Sequence, residues 1–223
     1  SGQADSLYQA LQQSKRDSNE VILRQKIFAE IRYTDPDHGK AHLDTALELA
    51  RALDYTLGEA SVLRLMASYY NAKDYYEKSF ELAEQSLKLF EQIDHVSGQI
   101  RALNSLGVSK WKQGKLAEAQ EFYLKTLAIT KENNDDRGIA IAYHNLAAIH
   151  ITLKNFEKAE KYLNLMVVHS KKANYTRGLL FGLNGLASLK AEKTLFDAAI
   201  QHSQEALTIA ESINDMTEYA RVQ

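Results

Sequence analysis

Apolar residues recur with a helical period through residues 101–127, the clearest pattern in the chain. Leu103 and Leu106 are three residues apart, so they share one face of a helix. Gly114 then interrupts the pattern, and a second face with the same period begins at Leu116. A glycine between two periodic segments is a helix-stop signal, because it takes left-handed backbone angles without steric cost. The segment therefore predicts two helices joined by a tight turn.

This pattern repeats along the chain at a constant spacing of 40 residues. The same shift aligns a set of glycines, a set of large apolar residues and a set of small residues: Gly58, Gly98, Gly138 and Gly178; Met66, Leu106, Leu146 and Leu186; Ser79, Ala119, Ala159 and Ala199. A fixed period in this range is typical of a solenoid, in which each unit buries its apolar face against its neighbours. Each repeated glycine costs about 1 kcal/mol inside a helix, so we expect the preceding helix to cross there and to leave no room for a Cβ.

Applied to the whole chain, the period predicts a short N-terminal helix and five helical hairpins. Polar turns ending in Asp94, Asn134, Asn174 and Asn214 separate the hairpins, as suits residues that bond nearby backbone groups. Asp35 and Pro36 provide an N-cap followed by proline at the first helical position. The predicted helices cover residues 4–13, 18–33, 35–53, 56–72, 74–93, 96–113, 115–132, 136–153, 155–172, 176–193 and 195–213.

Residues 101–127 also resemble the tetratricopeptide repeat (TPR), a helical hairpin motif. The matching sequence of large, small and aromatic positions is formed by Leu103, Leu106, Gly107, Trp111, Gly114, Leu116, Ala119, Tyr123, Thr126 and Leu127. The chain departs from the motif in three ways: its period is 40 residues rather than 34, Leu103 replaces a tryptophan, and the proline after the second helix is absent. The longer period is similar to that of bacterial regulatory and sensor TPR proteins and of kinesin light chains.

The resemblance implies an all-α fold, a right-handed superhelical α-solenoid of about five TPR-like hairpins with a short N-terminal capping helix. We expect residues 1–2 to be a cloning remnant and residues 3–223 to form a single TPR domain. Its repeats are predicted at residues 16–54, 55–94, 95–134, 135–174 and 175–214. Residues 215–223 would begin a truncated further repeat, so we expect the chain to be a fragment of a longer protein.

Composition narrows the possible functions. The net charge of −2 gives no overall field that would attract nucleic acid or an acidic membrane. The chain has no cysteine, which excludes thiolate metal sites, and no apolar run approaches the roughly 20 residues that cross a bilayer. His38 and His42 have a metal-binding spacing, but a third ligand is missing. No nucleophile and base are paired, so we predict no enzyme, no metal and no cofactor.

The resemblance places the binding surface on the concave face, which the first helix of each hairpin forms. Amide, basic and aromatic side chains share this face, where amides can hold an extended peptide, aromatic rings can anchor its side chains and arginines can pair with acidic groups. The ligand is therefore expected to be acidic or to end in a carboxylate, although plain solvated surface is the alternative, and Trp111 could pack on a neighbouring repeat instead. The predicted site residues are Arg24, Arg64, Arg101, Asn104, Trp111, His144, Asn145, Phe181 and Asn184.

The sequence thus favours a non-catalytic module that binds a protein or peptide, within the sensor or scaffold part of a larger bacterial signalling protein. Two alternatives stay open: an intracellular adaptor for complex assembly, and a TPR-type regulator whose catalytic or phosphatase-like activity lies outside this chain. We expect no direct contact with nucleic acid or membrane. A homodimer formed through an exposed solenoid end is a further alternative. The cellular compartment is left open between an exported sensor domain and a cytoplasmic protein.

Overall fold

The computed structural model describes residues 2–212 and consists there of eleven α-helices without a β-strand. This confirms the predicted all-α class, whereas the handedness of a superhelix and the division into repeats stay predictions. Asn214 and residues 215–223 lie outside the described residues. The helices are α1 (Gly2–Gln12), α2 (Ser18–Ile31), α3 (Pro36–Ala52), α4 (Thr56–Ala72), α5 (Tyr76–Gln92), α6 (Val96–Lys112), α7 (Leu116–Glu132), α8 (Asp136–Thr152), α9 (Phe156–Lys172), α10 (Thr176–Glu192) and α11 (Phe196–Ser212).

The chain has a rhythm of 20 residues, half of the period seen in the sequence. Each helix from α3 to α11 has 17 residues, and three residues connect it to the next. After α3, the N–H of Tyr55 donates to the carbonyl of Ala50 (2.8 Å) and that of Asp54 to Arg51 (3.1 Å). These two bonds form a Schellman motif, which needs positive φ at the middle residue of the connection. Positive φ recurs at Asp54, Asp74, Asp94, Gly114, Asn134, Lys154, Asn174 and Thr194.

Contacts between residues divide the chain into two units, the first of which ends at Phe122. Within this first unit α2 pairs with α3 and α4 with α5, while α2 also contacts α4 and α4 contacts α6. The first helices of successive hairpins, hereafter the A helices, therefore lie side by side. Helix α1 packs on α2, and its Tyr8 stacks on His38 of α3 with ring centroids 6.1 Å apart. The predicted N-terminal helix thus covers the first hairpin.

The second unit begins at Tyr123 within α7 and contains α8 to α11. Here α8 pairs with α9 and α10 with α11, and α10 also packs against α9 and α8. Leu163, on α9, and Leu183, on α10, are fully buried. A Cβ added at Gly185 would lie only 2.9 Å from the Cδ2 atom of Leu163. Close approach of these two helices therefore depends on the small residue.

The four repeated glycines face crowded surroundings, though not always for the predicted reason. A Cβ at Gly98 would overlap the ring of Phe90, and one at Gly138 would lie 2.5 Å from Cγ2 of Thr130; both neighbours belong to the preceding helix. At Gly58 the obstructing ring belongs to Tyr55, which precedes α4 in the turn. The expected crossing helix therefore explains Gly98, and a turn residue explains Gly58. At Gly138 both contribute, because the carboxylate of the turn residue Asp135 is as close as Thr130.

Candidate functional site

Helices α4 and α6 line a cavity of about 310 Å³ in the first unit. Arg64 lies on α4, and Arg101 and Asn104 lie on α6, at spacings that place them on one face of each helix. These three residues were predicted from the sequence as ligand contacts, and the structure brings them together. The cavity, called the arginine cavity below, is lined by Arg64, Ser68, Asn71, Arg101, Asn104, Ser105 and Val108.

The charge of the arginine cavity is not balanced by the protein. Within residues 2–212 neither Arg64 nor Arg101 forms an ion pair. Desolvation of Arg64, followed by repulsion from Arg101 and Arg32, lowers the pKa of Arg64 to about 10. The guanidinium is still protonated at neutral pH, so several positive charges face one another with no carboxylate among the lining residues. Such a cavity favours an anion.

Asn71 supplies an unused hydrogen-bond acceptor at the same cavity. Its side-chain nitrogen donates to Oγ of Ser109 (3.2 Å), and the Ser109 hydroxyl in turn lies 3.0 Å from that of Ser79. Its Oδ1 atom is buried and has no partner. Leaving a buried acceptor unpaired is costly. A hydrogen-bond donor brought to this position would satisfy the acceptor.

A second cavity of about 350 Å³ opens beside the first, between the ends of α2 and α4 and the start of α3. Ser68 lines both cavities. The ammonium of Lys73 is already paired with Asp37 (2.9 Å), which also accepts a hydrogen bond from Tyr69 (2.7 Å). The remaining walls are mainly apolar. This aromatic pocket is lined by Phe28, Arg32, Tyr33, Pro36, Ser68, Tyr69, Ala72 and Lys73.

The aromatic pocket was not predicted from the sequence. Phe28 falls on a buried helix position, Tyr33 ends one predicted helix and Pro36 begins the next, so nothing in the repeat pattern marks them as one site. The available signal was the concentration of rings around Pro36. Arg32 places its guanidinium 4.6 Å from the centre of the Tyr33 ring, and its buried Nε atom has no partner. The pocket therefore combines aromatic surface with an unsatisfied donor.

Two other predicted residues of the first unit lie apart from these cavities. Arg24 donates to Glu20 (2.9 Å) and lies 3.2 Å from Nδ1 of His42, so its charge is already balanced within the protein. Trp111 is half-buried, and its ring lies 5.7 Å from the ammonium of Lys112. Neither residue is among those that line the arginine cavity or the aromatic pocket. Their role in binding stays a prediction.

The second unit holds the other four predicted residues. His144, on α8, and Phe181, on α10, have ring centroids 5.9 Å apart, and the guanidinium of Arg177 lies 5.5 Å from the Phe181 ring. Asn145 follows His144 on α8, and Asn184 lies one turn after Phe181 on α10; both are half-buried. More than a third of His144 is exposed, yet neighbouring groups displace enough water to lower its pKa. His144, Phe181 and Arg177 thus form a cluster of two rings and a cation, and ligand contact at the four predicted residues stays a prediction.

The two histidines whose spacing suits a metal lie close together on α3. His38 and His42 have ring centroids 5.0 Å apart. Between residues 2 and 212, however, no three His, Cys, Asp or Glu side chains come together in a way that could hold a metal ion. Over the same residues, no helix has the length and apolarity required to span a membrane.

Comparisons with known proteins agree with the hairpin architecture. The tetratricopeptide repeat family matches residues 98–165. The chain is similar to the Arabidopsis thaliana protein FLUORESCENT IN BLUE LIGHT, chloroplastic, with 31% identity over 91 residues, which cover 41% of this chain and 29% of that protein. It is also similar to Response regulator aspartate phosphatase I of Bacillus subtilis (strain 168), with 24% identity over 148 residues, which cover 66% of this chain and 37% of that protein. The chain thus spans about a third of the length of these curated relatives.

A solved structure extends the similarity along most of the chain. A Rap protein complexed with competence and sporulation factor matches with a TM-score of 0.76 and covers 90% of this chain and 57% of its own. Its sequence identity is 14%, so the match establishes a shared fold. The predicted resemblance to tetratricopeptide repeats is confirmed, and the bacterial regulatory type of repeat fits the Rap structure.

Proposed function

We propose that this chain, whose residues 98–165 match the tetratricopeptide repeat family, is a non-catalytic module that binds a protein or peptide. We place the module in the sensor or scaffold part of a larger bacterial signalling protein. Repeats of helical hairpins stack into surfaces that suit extended ligands. The Rap protein among the structural matches is complexed with competence and sporulation factor, which supports a ligand-binding role for the shared fold.

The single observation that carries this proposal is the unbalanced positive charge of the arginine cavity. Burial and repulsion from Arg101 both disfavour the positive charge of Arg64. No carboxylate lines the cavity to offset this cost. A ligand that brings an anionic group gains charge-assisted hydrogen bonds there without displacing an existing ion pair. The proposed ligand is accordingly acidic or ends in a free carboxylate, and its backbone bonds amide side chains that line the cavity, among them Asn71.

A binding titration of the purified chain tests this proposal. A library of acidic peptides is screened for capture, and the affinity of the best peptide is measured by calorimetry for wild type, Arg64→Ala and Asn104→Ala. Arg64→Ala is expected to weaken binding by about tenfold or more, since hydrogen bonds to charged groups contribute about 1.5–3 kcal/mol. Arg51→Ala is the matched control, because Arg51 is an exposed arginine of the same unit that pairs with Glu59 (2.7 Å). Equal affinity in wild type and both cavity variants would refute the proposal.

A second candidate function is suggested by the name of the Bacillus subtilis relative, an aspartate phosphatase that acts on response regulators. In this alternative the chain contributes to dephosphorylation of a partner, and the catalytic groups lie outside this chain, which spans 37% of the relative. Incubating a phosphorylated receiver domain with the full-length protein that carries this module distinguishes the two functions. A pure binding module leaves the rate of phosphate release unchanged, whereas accelerated release would favour the regulator.

A further inference from the structure

The hydrogen-bond donors of the arginine cavity greatly outnumber its acceptors. This excess specifies the chemistry of the ligand more closely than the term acidic peptide does. Two guanidinium groups and the hydroxyl of Ser68 line it, and Arg32 adds a third cation within electrostatic range. The Ser105 hydroxyl, which also lines the cavity, already donates to the carbonyl of Arg101 (3.1 Å). A single carboxylate carries one negative charge and would leave at least one positive charge uncompensated. A phosphate monoester carries about −1.5 to −2 at neutral pH and offers three acceptor oxygens.

The adjoining aromatic pocket shows what flanks that anion. The two cavities lie on opposite sides of α4 and meet at Ser68. Neighbouring packed helices are about 8–10 Å apart, which sets the scale of the separation between the cavities. In an extended peptide, side chains two residues apart point to the same side at a spacing of about 7 Å. A phosphorylated side chain would reach the arginine cavity, and an apolar or aromatic side chain two positions away would reach the aromatic pocket. Both side chains are long enough to make up the difference between the two spacings.

The polar groups near Ser68, where the two cavities meet, fit a peptide better than a free anion. The buried Oδ1 of Asn71 has no hydrogen-bond donor, and a phosphate group at neutral pH offers few protons. A peptide backbone supplies N–H groups at regular intervals. The orphan acceptor and the excess of cationic donors therefore select a ligand that has both an anion and a backbone.

We infer that the arginine cavity and the aromatic pocket together bind a phosphorylated peptide segment, with the phosphoryl group between Arg64 and Arg101. An apolar or aromatic residue two positions from the phosphorylated residue occupies the space between Phe28, Tyr33 and Tyr69. This inference rests on the proposed peptide-binding function and specifies its ligand. A carboxylate-bearing ligand would use the same arginines, so the experiment compares the two directly.

The experiment uses two amidated peptide libraries with identical degenerate flanks, one centred on phosphoserine and one on unmodified serine. The phosphoserine library is expected to be captured, with enrichment of Phe, Tyr or Leu two positions from the phosphoserine. For the selected peptide we expect about tenfold or greater loss of affinity on dephosphorylation or in Arg64→Ala. Arg64→Lys should lose part of the affinity because the planar bidentate fork is absent. Tyr33→Ala should lower the preference for the aromatic residue, while Arg51→Ala changes neither property.

The possible failures are separable. Equal capture of both libraries through the arginine cavity would overturn the phosphopeptide inference and leave the proposed binding function standing. Binding of inorganic phosphate as tightly as the selected peptide would overturn the peptide part of the inference. Capture of a free-acid peptide in preference to its phosphorylated, amidated counterpart would assign the cavity to a terminal carboxylate instead. Failure of every acidic, phosphorylated and free-acid peptide to bind would refute the proposed function itself.

Discussion

Replacing Gly98 with alanine tests the packing on which the close approach of α5 and α6 depends. A Cβ at this position would overlap the Phe90 ring, with Cγ of that ring 2.5 Å away. Phe90 is 2% exposed and packs against Ala60 and Ala102, while its ring also stacks on His95 with centroids 5.4 Å apart. The ring has little free space into which it could rotate. The added methyl group must therefore separate the helices or distort the side chain.

Two opposing effects determine the size of the change. Alanine is favoured over glycine in a helix interior by about 1 kcal/mol. Overpacking a well-filled core costs about 1–3 kcal/mol. The difference predicts that Gly98→Ala lowers the free energy of unfolding by about 1 kcal/mol, with the packing term larger because Phe90 is enclosed on all sides. Gly58→Ala is the control, since the ring it meets belongs to the half-buried turn residue Tyr55, which has more freedom to move.

Urea denaturation followed by far-ultraviolet circular dichroism measures these changes. A double-mutant cycle with Phe90→Leu isolates the contact, because a smaller side chain makes room for the new methyl group. We expect a favourable coupling of about 1 kcal/mol, so that Gly98→Ala costs less in the Phe90→Leu background. A Gly98→Ala variant as stable as wild type, or additive effects in the cycle, would refute the steric explanation of this glycine.

Two further predictions concern backbone conformation and pH. Gly114→Ala should lower the free energy of unfolding by about 1 kcal/mol because φ is +76°, although no atom lies within 4 Å of the new Cβ. Lys154→Gly, at φ +54°, should raise the free energy of unfolding by about 0.5 kcal/mol. Urea denaturation measures both changes. Desolvation, followed by His38 and Arg24, lowers the pKa of His42, and desolvation followed by Lys158 lowers that of His150. The unfolded chain, whose histidines titrate near 6.5, then binds more protons than the folded chain, so stability should fall between about pH 7 and pH 5. His150→Gln should reduce that pH dependence; a steeper loss of stability in this variant, or stability that rises on acidification, would contradict the assignment.

The sequence predicted the helices well because their signals are local. Apolar spacing and Asp35–Pro36 located the helix boundaries to within one or two residues across most of the chain. The 20-residue rhythm was harder to detect, because Lys154 and Thr194 occupy positions of positive φ without being typical turn residues. The backbone hydrogen bond from the N–H of Asn155 to the carbonyl of His150 (2.8 Å) closes the same kind of turn there, although residue preference does not favour it.

The candidate site was predicted less completely, since it depends on contacts between distant residues. Arg64 and Arg101 share a face that the repeat period identifies, so their proximity follows from the spacing. The pairing of Arg24 with Glu20 and His42 depends on side-chain conformations that no spacing rule contains. The aromatic pocket likewise forms only where the ends of α2 and α4 meet the start of α3.

A crystal structure of the protein with its selected peptide would show where the ligand binds. We expect the anionic group of the ligand within about 3 Å of guanidinium nitrogens of Arg64 and Arg101, with a ligand N–H bonded to Oδ1 of Asn71. A ligand bound on another surface, with the arginine cavity unoccupied and Oδ1 of Asn71 still unpaired, would contradict this expectation.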